Sequence, residues 1–282
     1  IDSRRTNGTI QRRMSVKLTM LGTGYATAMR CYNTCFLLQS ADTLLMVDAG
    51  GGNGVLNQLE RVGVPLEKIH HLFLTHAHTD HVLGAVWVVR MILQMMKKGK
   101  YDGTLHLYGN DKVVNVLQWI CQNTIPMSLL KFFDERVVVS VLQDGELFTI
   151  NDWHLVAFDI HSTKEKQYGF RVDFANQRSL ACLGDEPYNA ANKSWVKGVD
   201  WLLCEAFCLR TDAEKFQPYE KHHSTAKDAA QLANELKIKN LLLYHTEDSS
   251  LATRKQSYTA EAQSCFSGNV VVPNDLETIE LF

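Results

Sequence analysis

One stretch limits this chain more than any other: Leu72 to Ala85, LFLTHAHTDHVLGA. An apolar, strand-like run leads into three histidines and an aspartate crowded within six positions, and the sequence then turns apolar again. His76 and His78 are two residues apart, so both project on one side of an extended segment. Asp80 and His81 follow through a tight turn and face a second point close by. Imidazole and carboxylate suit Zn²⁺, Mn²⁺ or Fe²⁺, and an incomplete coordination sphere leaves room for water and substrate. A lone histidine is ordinarily a surface or satisfied core residue. Four ligand-type side chains at this spacing after a strand predict a metal site, and the fold must bring further ligands to it.

Short β-like runs recur along the chain with turn signals between them: VKLTML, NTCFLLQS, TLLMVDAG, HLFLTH and LHLYG before Asn110, then VVVSVL, HLVAFDI, YGFRVDFA, SLACLGD, WLLCEAF, NLLLYHT and NVVVPND. Helical periodicity appears in GNGVLNQLERVG, GAVWVVRMILQMMKKG, NDKVVNVLQWICQNT and STAKDAAQLANELKI, the last opening on residues suited to N-capping. With no long linker or repeat, residues 14–282 read as one domain, an α/β or α+β sandwich with helices outside. Residues 1–13, polar and basic, are set aside as a tag or frayed extension. Three apolar runs end in further ligand types: His161 in LVAFDIHST, Asp185 in LACLGDE and His245 in LLLYHTE. Strand ends are where parallel or mixed sheets present their sites.

The formal charge of −2 over 282 residues gives no global pull toward nucleic acid or membrane. Seven cysteines without a CxxC pair predict reduced, buried thiols. No apolar run approaches the roughly 18 residues of a membrane span, and the expectation is a cytoplasmic protein with no membrane partner.

The order of these residues resembles the metallo-β-lactamase superfamily over nearly all of Val16 to Phe282: Asp48 in MVDAG, then HAHTDH, His161, Asp185 and His245. The resemblance implies a four-layer αββα sandwich with a two-metal hydrolytic centre at one edge. His76, His78 and His161 would hold one metal, Asp80, His81 and His245 the other, and Asp185 would bridge them. Asp48 would orient the HAHTDH loop as an acceptor behind the ligands. The metals are read as Zn, with Mn or Fe as alternatives.

Within the superfamily the closer resemblance is to ribonuclease Z, carried by LGTG at Leu21 to Gly24, RCYNTCFLL, HSTKEKQYGFRV, LLCEAF, HHSTAKDAAQLA and LLLYHTE. Cys204 stands at the His position of that family's His-Glu-Ala-Thr motif and Phe207 at its Thr position. The long basic arm with which the family docks tRNA has no counterpart in the sequence. The resemblance implies a phosphodiesterase that uses a metal-bridging hydroxide. His223 would be the general acid, with Glu205 accepting its hydrogen bond, and Asp80 belongs to the catalytic set as a ligand. His222 is the adjacent alternative. The substrate is expected to be a phosphodiester in a small nucleotide or RNA, and a homodimer is compatible with the family. Two other readings are a metallohydrolase of a lactone, thioester or sulfate ester, and a non-catalytic metal-binding module.

Overall fold

A computed structural model describes residues 15–282, and the segment 1–13 set aside above lies outside the described residues. Two seven-stranded sheets dominate. The first holds β1 (Lys17–Gly22), β2 (Cys35–Gln39), β3 (Leu44–Val47), β4 (His71–Leu74), β5 (Leu105–Gly109) and β6 (Val137–Val141). The second holds β7 (Glu146–Ile150), β8 (Trp153–Asp159), β9 (Tyr168–Asp173), β10 (Ser179–Cys182), β11 (Trp201–Glu205), β12 (Asn240–Tyr244) and β13 (Asn269–Val271). A last strand, β14 (Thr278–Glu280), returns to flank β1 in the first sheet. Each sheet is antiparallel at one side and parallel at the other: β3, β4, β5 and β6 run parallel in the first, β10, β11, β12 and β13 in the second.

The period-2 alternation of these strands sorts their apolar residues to two faces. Leu18, Met20, Leu45, Val47 and Phe73 from one sheet meet Leu155, Phe170, Leu180, Trp201 and Leu203 from the other in a core between the sheets. The opposite faces, with Met46, Leu72 and Leu74 on one sheet and Ala181, Leu202 and Leu241 on the other, are covered by helices. Over the first sheet lie α1 (Gly54–Arg61), α2 (Thr79–Lys97), α3 (Asp111–Thr124) and α4 (Met127–Arg136). Over the second lie α5 (Ala226–Glu235) and α6 (Leu251–Gln263). The result is the αββα sandwich expected from the sequence.

The helix starts follow their local chemistry. Asn110 caps α3 by accepting from the Val113 N–H at 3.1 Å. Thr225 and Asp228 form a reciprocal capping box at the head of α5. The segment Lys97–Asp134 runs through the end of α2, β5, α3 and most of α4, and its apolar residues join the core over the first sheet. Among the described residues, no helix is long and apolar enough to cross a membrane. The seven cysteines are free, five of them buried, and burial raises the pKa of Cys204 well above the thiol range and of Cys208 to about 12.

Of the elements named above, β7, β14, α4 and α6 have no counterpart among the runs read from the sequence. The buried residues of α6 are Arg254, Tyr258 and Ala262, an i, i+4, i+8 stripe led by a cation, so hydrophobic periodicity does not reveal it. β14 is three residues long and half exposed, and β7 is half exposed although it carries Leu147, Phe148 and Ile150.

Candidate metal centre

The ligand-type residues gather where parallel strands of both sheets end. Asp48 follows β3, His76 and His78 follow β4, Asp185 follows β10, Glu205 closes β11, and His245 follows β12. The left-handed backbone at Asp48 (φ 54°), His161 (φ 59°) and His245 (φ 55°) turns the chain sharply as each strand ends. Asp80 and His81 are presented by a helix start, where the sequence suggested a tight turn: α2 begins at Thr79 with His78 as its N-cap residue. The first-turn N–H groups of that helix favour the Asp80 carboxylate.

Two groups share Asp185. Asp80, His81, Asp185 and His245 place one ligand atom each within 4.8 Å of one another, and all four residues are buried. His76, His78 and Asp185 do the same. Asp185 Oδ2 lies 3.7 Å from His76 Nε2, 3.5 Å from His81 Nε2 and 3.4 Å from His245 Nε2. His161 stands apart from both groups. Its residue is exposed beyond β8, in a left-handed turn whose N–H donates to Asp159 Oδ1 at 2.7 Å.

The hydrogen bonds behind the ligands fix which imidazole nitrogens carry protons. His81 Nδ1 lies 2.8 Å from Asp48 Oδ2, so it donates there and turns Nε2 toward Asp80 and Asp185. The Thr75 hydroxyl donates to the same Asp48 oxygen at 2.8 Å. Thr75 Oγ1 also lies 2.9 Å from His76 Nδ1, which Gln167 Nε2 approaches at 3.1 Å, while His76 Nε2 lies 2.9 Å from His78 Nδ1. Gln167, fully buried, donates to Asp185 Oδ1 at 2.5 Å. Sequence reading missed Gln167 and Thr75; the available signal was an uncharged polar residue directly beside an apolar strand.

The local field is strongly negative. Burial by itself would depress His81, yet Asp80 and Asp48, together with Asp185, hold its pKa well above the usual imidazole range. Burial by itself would raise Asp80 and Asp185, yet the histidines around them hold both well below the carboxylate range. Burial lowers His76 to about 3, which keeps its ring neutral and able to ligate. Asp80 Oδ2, His81 Nε2 and His245 Nε2 are buried with no hydrogen-bond partner. Buried acceptors left unpaired are costly. A divalent cation offers all three a common partner, so the donor set fits the metals that the sequence pattern implied.

Beside this set, Glu205, His223 and His245 form a third buried group within 4.8 Å. Glu205 Oε1 accepts from the Ser224 N–H at 2.5 Å and the Ser224 hydroxyl at 2.7 Å. Glu205 Oε2 lies 3.6 Å from His223 Nδ1, an ion-pair contact longer than a hydrogen bond. Burial would lower the His223 pKa, but Glu205 and then Asp185 raise it, against a smaller opposing effect of Lys164. The His223 and His245 rings are 5.2 Å apart, and Phe207 packs 5.1 Å from His223 on another side. His222 is exposed and pairs through Nδ1 with Thr163 Oγ1 at 3.2 Å, so of the two adjacent histidines it is His223 that turns inward.

Comparison with known proteins places the fold and the family. The chain is 22% identical to a protein named ribonuclease Z from Parabacteroides distasonis, over 90% of this chain and 95% of that one. It is 23% identical to ribonuclease Z from Nitrosopumilus maritimus, over 94% of this chain and 100% of the relative. Among solved structures, the metallo-β-lactamase fold protein YhfI from Bacillus subtilis superposes with a TM-score of 0.76 at 22% identity, covering 94% of this chain and 99% of that one. Human tRNase Z, short form, gives 0.72 at 20% identity with the same coverage, 94% and 99%. A diphosphatase from the PhnP family gives 0.70 at 20% identity, over 95% and 97% of the two chains. The family model described as "Anti-Pycsar protein Apyc1" matches residues 16–264. With that match spanning most of its length, the chain belongs to the anti-Pycsar protein Apyc1 family and is a ribonuclease Z-like member of the metallo-β-lactamase fold.

Proposed function

We propose that this chain is a metal-dependent phosphodiesterase acting on a small phosphodiester such as a nucleotide. The observation that carries the reading is the convergence of Asp80, His81, Asp185 and His245 on one point, with unpaired buried ligand atoms facing it and His223 alongside. Asp80, His81 and His245 would hold one divalent ion, His76 and His78 the other, with Asp185 between them. His161 joins the second ion only if its turn moves inward. Bound there, such ions activate water near neutral pH and neutralise negative charge as it develops on the ester.

The remaining work belongs to the chain's own side chains. Asp48 holds the His81 proton on Nδ1 and so turns Nε2 toward Asp80 and Asp185, while Thr75 ties Asp48 to His76. Gln167 fixes one Asp185 oxygen and leaves the other to face the histidines. His223, whose pKa is raised, carries the proton that a leaving oxygen needs; Nδ1 faces Glu205, so Nε2 is the donating atom.

The surroundings favour an anionic ester over a neutral one. Lys221 lies over the Phe207 ring beside His223, and Lys164 reaches Lys221 O at 3.1 Å and Glu186 at 3.3 Å. These cations argue against a lactone or thioester substrate. A small substrate is favoured over tRNA because the net charge is −2 and the segment Lys97–Asp134 packs onto the first sheet. The names of its relatives, ribonuclease Z and a PhnP-family diphosphatase, support the phosphoester class. The test is hydrolysis of bis(p-nitrophenyl) phosphate, p-nitrophenyl sulfate, a lactone and precursor tRNA, each with and without added Zn²⁺ or Mn²⁺. Metal-dependent turnover of the phosphodiester is expected. Preferential hydrolysis of the sulfate or the lactone would overturn the substrate class, and efficient, accurate tRNA 3′ cleavage at low enzyme concentration would overturn the small-substrate reading.

A further inference from the structure

Resting on the metal-centre reading above, we infer that Glu205 is a positioning residue for His245 as well as for His223, one carboxylate setting the proton positions of both. Among the described residues, Glu205 Oε2, His223 Nδ1 and His245 Nδ1 are all buried without a hydrogen-bond partner, and the three side chains form one tight group. Glu205 is fully buried at the end of β11, whose neighbour β12 runs parallel to it and delivers His245 one residue past its own end.

The lone pairs of this carboxylate can be counted. An ionised carboxylate accepts about four hydrogen bonds, two per oxygen. Ser224 fills both positions on Oε1, with its N–H at 2.5 Å and its hydroxyl at 2.7 Å. Oε2 keeps two positions; His223 Nδ1 lies 3.6 Å from it, and His245, in the same group, has an Nδ1 that is likewise unpaired. His245 can offer a lone pair from Nε2 toward Asp80 and Asp185, at 3.7 and 3.4 Å, only if its proton sits on Nδ1. That proton needs an acceptor, and Glu205 Oε2 is the unused one. Oε2 would take that proton directly or through one bridging water.

The arrangement repeats, on the second sheet, what Asp48 does for His81 on the first. Carboxylates behind metal-binding imidazoles typically change metal affinity by about 10–100-fold when removed. Glu205 therefore links the proton-donating side of the site to its metal-holding side. In Glu205→Gln, an amide N–H₂ facing the two histidines would oppose both Nδ1 protons and drive His245 toward the tautomer that cannot ligate. Turning the amide over restores the acceptor but opposes its N–H₂ to the Ser224 N–H.

The test is metal affinity, read by competition with a chromophoric chelator and by metal analysis, on the full chain. Wild type is expected to take up two Zn²⁺, and Glu205→Gln to bind one of them about 10–100-fold more weakly. His223→Ala is expected to keep both. Ser224→Ala, which removes one bond to Oε1 and leaves Oε2 alone, is expected to keep both as well. Unchanged affinity in Glu205→Gln, or an equal loss in Ser224→Ala, overturns the inference while the metal centre stands. Wild type that binds no Zn²⁺ overturns the centre and the inference together.

Discussion

His81 Nδ1 and Asp48 Oδ2 lie 2.8 Å apart, and the same oxygen takes the Thr75 hydroxyl that in turn faces His76. One buried carboxylate thus holds His81 directly and reaches His76 through Thr75, two imidazoles that belong to different ligand groups. Replacing it with an amide of the same shape removes the charge and turns a donor toward one of them. Asp48→Asn should weaken Zn²⁺ binding by about 10–100-fold, with a chelator competition titration as the measurement. Unchanged affinity would show that the histidines find their tautomers without Asp48.

His223 is argued to hold a proton rather than a metal. Its ring is near His245, yet its Nδ1 faces Glu205 and its pKa is raised. His223→Ala should lower kcat by about 10²-fold or more while metal content stays at the wild-type level. Loss of metal with activity retained would make it a ligand.

Gly84 sits where α2 presses on the strand end that carries Asp48. Its N–H donates to Gly50 O at 2.8 Å, and a Cβ added there would stand 1.8 Å from Ala49 O. Backbone cannot swing aside as a side chain can. Gly84→Ala should destabilise the fold by about 1–3 kcal/mol or more, read by urea unfolding, and should also weaken metal binding by moving Asp48 from His81. A variant as stable as wild type would mean that the helix and loop separate more easily than this contact implies.

Asp200 provides a pH test away from the metal residues. Burial would raise its pKa, but Lys239 at 2.7 Å, the Ser179 N–H at 3.0 Å and Arg178 at 3.1 Å lower it overall. A folded-state pKa below the unfolded one means stability that is present in full above the unfolded value, near 4, and is lost as pH falls through the folded value. Asp200→Asn should therefore cost on the order of 1–2 kcal/mol at pH 7 and progressively less below pH 4, in unfolding curves recorded across that range. A pH-independent difference would assign the effect to shape instead.

The fold was legible because alternation along most strands is strong and the ligand residues fall at strand ends. The site was legible for a related reason: His76, His78, Asp80, His81, Asp185 and His245 are residue types with few other uses at that spacing. What the sequence hid was the support behind them. Gln167 looked like part of a polar loop, and the role of Thr75 depends on a bond to Asp48, 27 positions away. Arg254 is buried against Thr23 and Thr246, and its helix lacks the apolar stripe that reveals others. His161 shows the opposite limit. Its position after an apolar run marked it as a ligand, but a backbone turn, which residue type does not encode, leaves it exposed.

That turn carries a further meaning. A non-glycine residue held in left-handed backbone costs about 1 kcal/mol or more, and at exposed position 161 glycine would relieve it without leaving a hole. Selection for heat resistance alone would therefore favour glycine there, against the pull of any chemistry that needs the imidazole. A relative with glycine at this position would trade the imidazole for about that much stability.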